Sequence, residues 1–374
     1  MRPTARLAGV AALLLTAVAL SPAAASAHPL RHSGAVFVQT DDPAGNTIVA
    51  YRRAPDGTLQ EAGSYTTGGL GGVLAGSVVD HLASQGSLAY DREAGLLYAV
   101  NAGSDTITVF AVHGDRLQRL QTLASGGRFP VSVAVHGDAV YALNARDGGS
   151  LQGYVRIGRR LFAVPARHRA LGLDPNATPE FTNTPGHVAF TPDGRRLVVT
   201  TKANGNAVDV FRVDRFGGLS ATPVVNPLPG AVPFAVAFDA HANLVVTEAG
   251  PNAVATFALG RSGALTGLDT AATGQAATCW IVRVGDRFYV SNAGSGTLSG
   301  YRETGDGTLR PLGDTATDGG TVDAAATADG RHLYVQTGAA GIVDEFAIRR
   351  DGTLTAIGSV TVDNAIGGEG IAVS

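Results

Sequence analysis

Seven stretches of this chain align on one phrase, and that repetition constrains the fold more than any other feature. They are VFVQTDDPAGNTIVAYRR from Val36, LYAVNAGSDTITVFAV from Leu97, VYALNARDGGSLQGYVR from Val140 and LVVTTKANGNAVDVFRV from Leu197, followed by LVVTEAGPNAVATFAL from Leu244, FYVSNAGSGTLSGYR from Phe288 and LYVQTGAAGIVDEFAI from Leu333. In each, an alternating apolar run enters a turn rich in Asn, Gly, Asp and Ser and leaves as a second alternating run, which is the pattern of a hairpin. A tight turn and a leucine then open a further strand, at Leu59, Leu117, Leu161, Leu219, Leu265, Leu309 and Leu354. Most hairpins are preceded by a strand of small apolar residues, as in GHVAFTPDG from Gly186 and VDAAATADG from Val322. Leucines 117 and 161, 219 and 265, 265 and 309, and 309 and 354 stand 44 to 46 residues apart, within the ~40 to 50 residues of a propeller blade. The two longer intervals place insertions at 66–86 and 163–185, expected as loops on one face. The first hairpin lacks a small-residue strand, and the last residues, Gly368–Ser374, are such a strand with no hairpin after it. Pairing the two closes a ring without a free edge. The expectation is an all-β, seven-bladed β-propeller of four-stranded antiparallel blades.

Composition agrees. Fifty glycines and 17 prolines without a Gly-X-Y period exclude collagen and disfavour long helices, and 45% hydrophobic with 16% charged residues excludes a disordered chain. Arg2 and Arg6, the apolar run Val10–Leu20 and the Ala25-Ser26-Ala27 site read as a secretory signal peptide over 1–27. Residues 28–374 then form a single propeller domain, secreted to the extracellular space. No later apolar run reaches the ~20 residues of a membrane span. Without the two signal arginines the chain carries 26 basic against 31 acidic groups, which argues against nucleic acid as a partner. The one cysteine, Cys279, leaves no internal disulfide. A closed ring with a mildly acidic surface is expected to be a monomer.

In such a ring the middle hairpin turns and the entries to the innermost strands lie on one face around the central channel, where a site is expected. The polar residues there are His187, Lys202, Glu248, Asn101, Asn144, Asn292, Gln39, Gln336, Asp323 and Glu369, with His81, Arg128 and Glu180 in the longer loops. Asn101, Asn144 and Asn292 recur at one position of the repeat, which suits a turn-capping amide as well as a ligand contact. No His-Glu-x-x-His, paired Cys-x-x-Cys, EF-hand or Gly-x-Ser-x-Gly occurs, so neither metal nor cofactor is expected. Gly68–Gly72 lacks the Lys-Ser/Thr of a phosphate loop and reads as a flexible insertion. Asp41, Asp42 and Asn46 read as a solvated hairpin tip. The basic run Arg156, Arg159, Arg160, Arg167, His168 and Arg169 falls on the outer strands of one blade, as a charged edge or a contact for an anionic polymer.

TPGHVAFTPDGRRLVV (Thr184 to Val199) and VVTEAGPNAV (Val245 to Val254) resemble the Pro-x-His strand entry and the Asn-Glu turn of the seven-bladed lactonase-like propellers, the 6-phosphogluconolactonase and carboxymuconate cyclase type. The resemblance implies catalytic roles for His187 and Glu248, and substrate contacts from Lys202, Asn292, Asn144 and Asn101. Two arginines of that pattern are missing: the chain has Pro233-Phe234-Ala235 and Asn292-Ala293 in their places. A guanidinium fork would hold a phosphate or carboxylate, so its loss turns the expectation toward a hydrolase of a small neutral lactone. The alternative is a non-catalytic extracellular propeller that binds a protein, glycan or cell-envelope component. YVSNAGSGTLSGY (Tyr289 to Tyr301), similar to the Tyr-Val-Thr-Asn repeats of surface-layer propellers, supports that alternative.

Overall fold

The structure is a computed structural model that describes residue 1 and residues 34–374. The signal-peptide reading falls outside the described residues. Seven four-stranded antiparallel sheets follow one another, each running from an inner strand at the channel to an outer strand at the rim. Blade 2, for example, comprises Leu88–Asp91, Leu96–Asn101, Thr106–His113 and Arg116–Ala124, and blade 6 comprises Thr278–Val284, Arg287–Asn292, Thr297–Glu303 and Leu309–Ala316. Blade 1 is built from both ends of the described chain. Val36 pairs with Val373, Phe37 with Ala372 and Val38 with Ile371, and Ala35–Gln39 continues into Thr47–Arg53 and Leu59–Thr66. The expected closure is the observed one.

The repeat phrase has a packing reason. Second strands are buried on both faces, as in Leu96–Asn101, and read as continuous apolar runs, while outer strands such as Leu309–Ala316 are largely exposed. The tyrosine of the second strand reaches into the next blade: Tyr141 donates to the Gly217 carbonyl at 2.7 Å, Tyr289 to that of Gly352 at 2.8 Å, and Tyr334 to that of Gly57 at 2.6 Å. Those glycines lie in the turn before the outer strand, two of them in the Asp-Gly-Thr-Leu motif. Gly57 and Gly352 adopt φ of 98°, which disfavours any side chain there. Tyrosine and turn thus clasp neighbouring blades. In five blades a bulge just before the third-strand aromatic, as at Gly300/Tyr301, bends the outer strand to follow the ring.

Three local expectations change. Blade 4 comprises His187–Phe190, Arg196–Thr200, Ala207–Arg212 and Val224–Pro227. Leu219 does not open its outer strand but makes one bridge to Val213. The Ser220 hydroxyl turns back onto the Thr222 carbonyl, and pairing resumes only beyond Pro223. In blade 3 the outer strand, Arg160–Ala170, runs well into the segment expected as a loop. The largest change concerns the 66–86 insertion, which packs as a plug against several blades while leaving Leu70, Val73 and Val78 exposed.

Leu74 and Leu82 of this plug are fully buried. It bonds to blade 1 through Gly71 N–H to Asp42 O (2.9 Å), to blade 2 through Gly103 N–H to Leu70 O (3.0 Å), and to blade 3 through Ser84 Oγ to Val131 O (2.9 Å). Gln85 N–H donates to Gly186 O ahead of blade 4 (3.0 Å), and the Gln85 amide makes both bonds to the Ile281 backbone of blade 6 (2.8 and 3.1 Å). The glycines allow this closeness: a Cβ on Gly71 would lie 1.9 Å from the Asp41 carbonyl oxygen, and one on Gly338 of blade 7 would lie 1.6 Å from that of Val79. What reads as a flexible glycine-rich insertion is therefore closely packed at these positions. At the first hairpin Asp41 and Asn46 are buried and Pro43 and Ala44 exposed, with Asn46 Oδ1 accepting the Asp41 amide (3.0 Å) and Asn46 Nδ2 donating to Val100 O (2.8 Å).

Candidate functional site

The strand register identifies one repeat position at the end of every second strand. Its occupants are Thr40, Asn101, Asn144, Thr201, Glu248, Asn292 and Thr337. In six blades the side chain is used inside the fold, mostly on the hairpin tip. Thr201 Oγ1 donates to Ala207 O (3.0 Å) and Thr337 Oγ1 to Ile342 O (3.1 Å), while Thr40 meets Thr47 (3.1 Å). Asn101 donates to Thr106 and Thr108 (both 3.0 Å), Asn292 to Thr297 and Ser299 (3.2 and 2.9 Å), and Asn144 to the Ser125 carbonyl (3.2 Å). All three asparagines are fully buried. They present no atom to a ligand, and a substrate-binding role finds no support in this geometry; the capping role does.

Blade 5 breaks the rule. Its strands are Pro233–Phe238, Leu244–Glu248, Ala253–Leu259 and Leu265–Ala272. Glu248 faces Ala253 across the hairpin, where blades 1, 2, 3 and 6 offer a threonine or serine hydroxyl. Its carboxylate makes no hydrogen bond or ion pair within the described residues and stays 8% exposed, and partial burial raises its pKa. It is the one member of the set left available for chemistry.

His187 opens the inner strand of blade 4, nearly buried. Its Nδ1 accepts the Val236 amide (3.2 Å), which leaves the hydrogen on Nε2. Burial lowers its pKa to about 4, so the ring is neutral near pH 7. Glu248 and His187 meet the inner strand of blade 5 at different points. Glu248 pairs in register with Pro233, whereas His187 meets Val236 beyond a bulge in the same strand.

Lys202, the last residue expected in the site, is 1% exposed and occupied. Its ammonium donates to the plug carbonyl of Ala83 (2.6 Å), to Phe181 O (2.5 Å) and to Thr184 Oγ1 (3.1 Å), and it stands 5.4 Å from the Phe234 ring. Burial lowers its pKa to about 7 against the opposing pull of Asp80. With three acceptors satisfied, Lys202 latches the plug and is not free to hold a substrate.

Below the mouth the channel holds buried carboxyls that the repeat pattern did not single out together. Asp80 accepts the amides of Leu82 and Ser84 (2.8 and 2.9 Å), and Glu369 accepts that of Gly86 (3.0 Å). Burial pushes Asp80 up to about 6 and Asp323 to about 7, and raises Asp41 and Glu369 well above the usual range, helped by their mutual repulsion. Asp80 lay in the insertion, where no periodicity could place it. Burial also pushes the Cys279 thiol up to about 12. Among the described residues no group of three or more His, Cys, Asp or Glu is placed to hold a metal ion, and no helix is long and apolar enough to cross a membrane.

No known family's sequence profile and no curated protein matches the chain. Solved structures do. A Bacteroides fragilis NCTC 9343 protein, assigned without proof as a 6-phosphogluconolactonase, superposes with a TM-score of 0.73 at 18% identity, over 93% of this chain and 99% of that one. The periplasmic gluconolactonase PpgL of Pseudomonas aeruginosa gives 0.72 at 19%, over 91% and 98%. At these identities the likeness defines the fold, that of the 6-phosphogluconolactonase-like seven-bladed propellers.

Proposed function

We propose that this protein is an exported, lactonase-like hydrolase of a small neutral cyclic ester, with Glu248 as general base. One observation carries the reading: at the position where six blades commit a Thr or Asn side chain within the fold, blade 5 holds an unpaired carboxylate with a raised pKa. The shared fold and the resemblance of the two site segments support it. Phe234 and Ala293 stand where the resemblance places arginines, and Phe234 packs edge-on against Trp280 at 4.9 Å between centroids. An apolar wall of this kind favours an uncharged ligand. In the proposed reaction Glu248 takes a proton from water, the hydroxide attacks the lactone carbonyl, and the tetrahedral intermediate expels the ring oxygen. That oxygen takes the proton back from Glu248 and leaves a hydroxy acid.

Purified mature protein is tested on a panel of neutral lactones by pH-stat titration. Glu248→Gln is expected to lose roughly 100-fold or more in rate. Equal rates for the two proteins, or none for either, would overturn the proposal and favour the non-catalytic binding propeller, which the channel plug also fits. Export is checked by N-terminal sequencing of protein from the culture medium, expected to begin at His28.

A further inference from the structure

The face opposite the hairpin tips carries a dense group of arginines. Residues 151–220 contain nine arginines and five carboxylates, in a chain with 28 basic and 31 acidic groups overall. The structure adds Arg261 and joins these side chains across three blades. Arg167 of blade 3 bonds to the Phe216 carbonyl of blade 4, and Arg169 bonds to those of Ser220 (2.9 Å) and Leu219 (2.6 Å). Arg196 of blade 4 bonds to the Arg261 carbonyl of blade 5. These partners are neutral, so the charge is not cancelled.

Arg159, Arg160, Arg196, Arg212, Arg215 and Arg261 have no carboxylate within 4 Å among the described residues. Arg196 and Arg212 even face each other directly across adjacent strands, an arrangement that is destabilising unless an anion lies between or over them. Three carboxylates, Asp138, Asp193 and Asp214, also line the clefts of this face, against five arginines. Asp138 pairs with Arg156 (2.9 Å), and Asp193 and Asp214 accept the amides of their own turns.

Two clefts share the Thr191–Arg196 turn. One, of about 390 Å³, is lined by His136, Arg167, Arg215 and Phe216, and the other, of about 540 Å³, by Arg195, Arg196, His241 and Arg261. We infer that this arginine stripe is a docking surface for an anionic polysaccharide, with guanidinium groups on its sulfate or carboxylate substituents and a sugar ring against Phe216. Phe216 is 70% exposed and the one large exposed ring in the clefts, with the Arg215 guanidinium 4.6 Å from its centroid. Single-stranded nucleic acid is held by a succession of stacking rings, which the clefts do not offer.

The test uses the mature protein, heparin-agarose and a fluorescent heparin oligosaccharide. Despite its net negative charge the protein is expected to bind at low salt and to elute as salt screens the contact. The variant Arg159→Gln, Arg160→Gln, Arg212→Gln, Arg215→Gln, Arg261→Gln removes exposed groups without ion pairs. It is expected to keep the wild-type melting curve and bind at least about 10-fold more weakly. Arg310→Gln, Arg349→Gln, Arg350→Gln, on the rim of blades 6 and 7, is expected to bind like wild type. Failure of the wild type to bind, equal loss in both variants, or equal retention on single-stranded DNA would each overturn the assignment.

Discussion

At the scale of single residues, the interior of this propeller is defined by acids held away from water. Asp323 is the clearest case, because burial pushes it up to about 7 beside Glu369. Its folded-state pKa lies above the unfolded value, so its contribution to stability is fully present below about pH 4 and is lost as pH rises through 7. Asp323→Asn keeps the oxygen that accepts the Ala324 amide (2.9 Å) and removes the titration. It is expected to raise unfolding free energy by on the order of 1–3 kcal/mol at pH 8 and to change little at pH 4, measured by urea denaturation at both values. His187 acts in the opposite sense, since its folded value near 4 lies below the ordinary one and its protonation favours unfolding as pH falls from 6.5 toward 4. Glu248 was legible as a candidate from its turn. Its singularity needed the register, because only the pairing shows that Thr40, Asn101 and Glu248 occupy equivalent places.

At the scale of elements, the plug decides what the channel can do. Lys202 holds it from outside, and the Lys202 backbone is itself in the left-handed region, with φ of 47°, a conformation that costs a non-glycine residue free energy. The three bonds of the ammonium offset that cost. Lys202→Met would leave the Ala83 and Phe181 carbonyls without their donor, at roughly 1–3 kcal/mol for each buried group. Unfolding free energy is expected to fall by about 2–4 kcal/mol, read from the urea midpoint at constant slope, with earlier proteolytic cleavage within 66–86. The plug could not be read from sequence. Its glycines and small residues signal tolerance of close approach as readily as flexibility, and only the facing carbonyls of Asp41 and Val79 decide between them.

At the scale of the whole molecule, closure rests on three residues of the last strand. Deleting 371–374 would strip the pairs to Val36, Phe37 and Val38 and expose a buried apolar edge. The truncated chain is expected to aggregate, seen as a shift of the protein into the void volume in gel filtration. Strand number, blade number, order and closure were determined by the sequence alone, because they depend on local periodicity and turn chemistry repeated seven times, and repetition averages out the ambiguity of any one segment. The fate of the insertion, the latching of Lys202, the internal use of the asparagines and the freedom of Glu248 were decided only in three dimensions. Each depends on which groups of distant blades meet in the channel, where burial turns one added or missing hydrogen-bond partner into the difference between a structural and a reactive side chain.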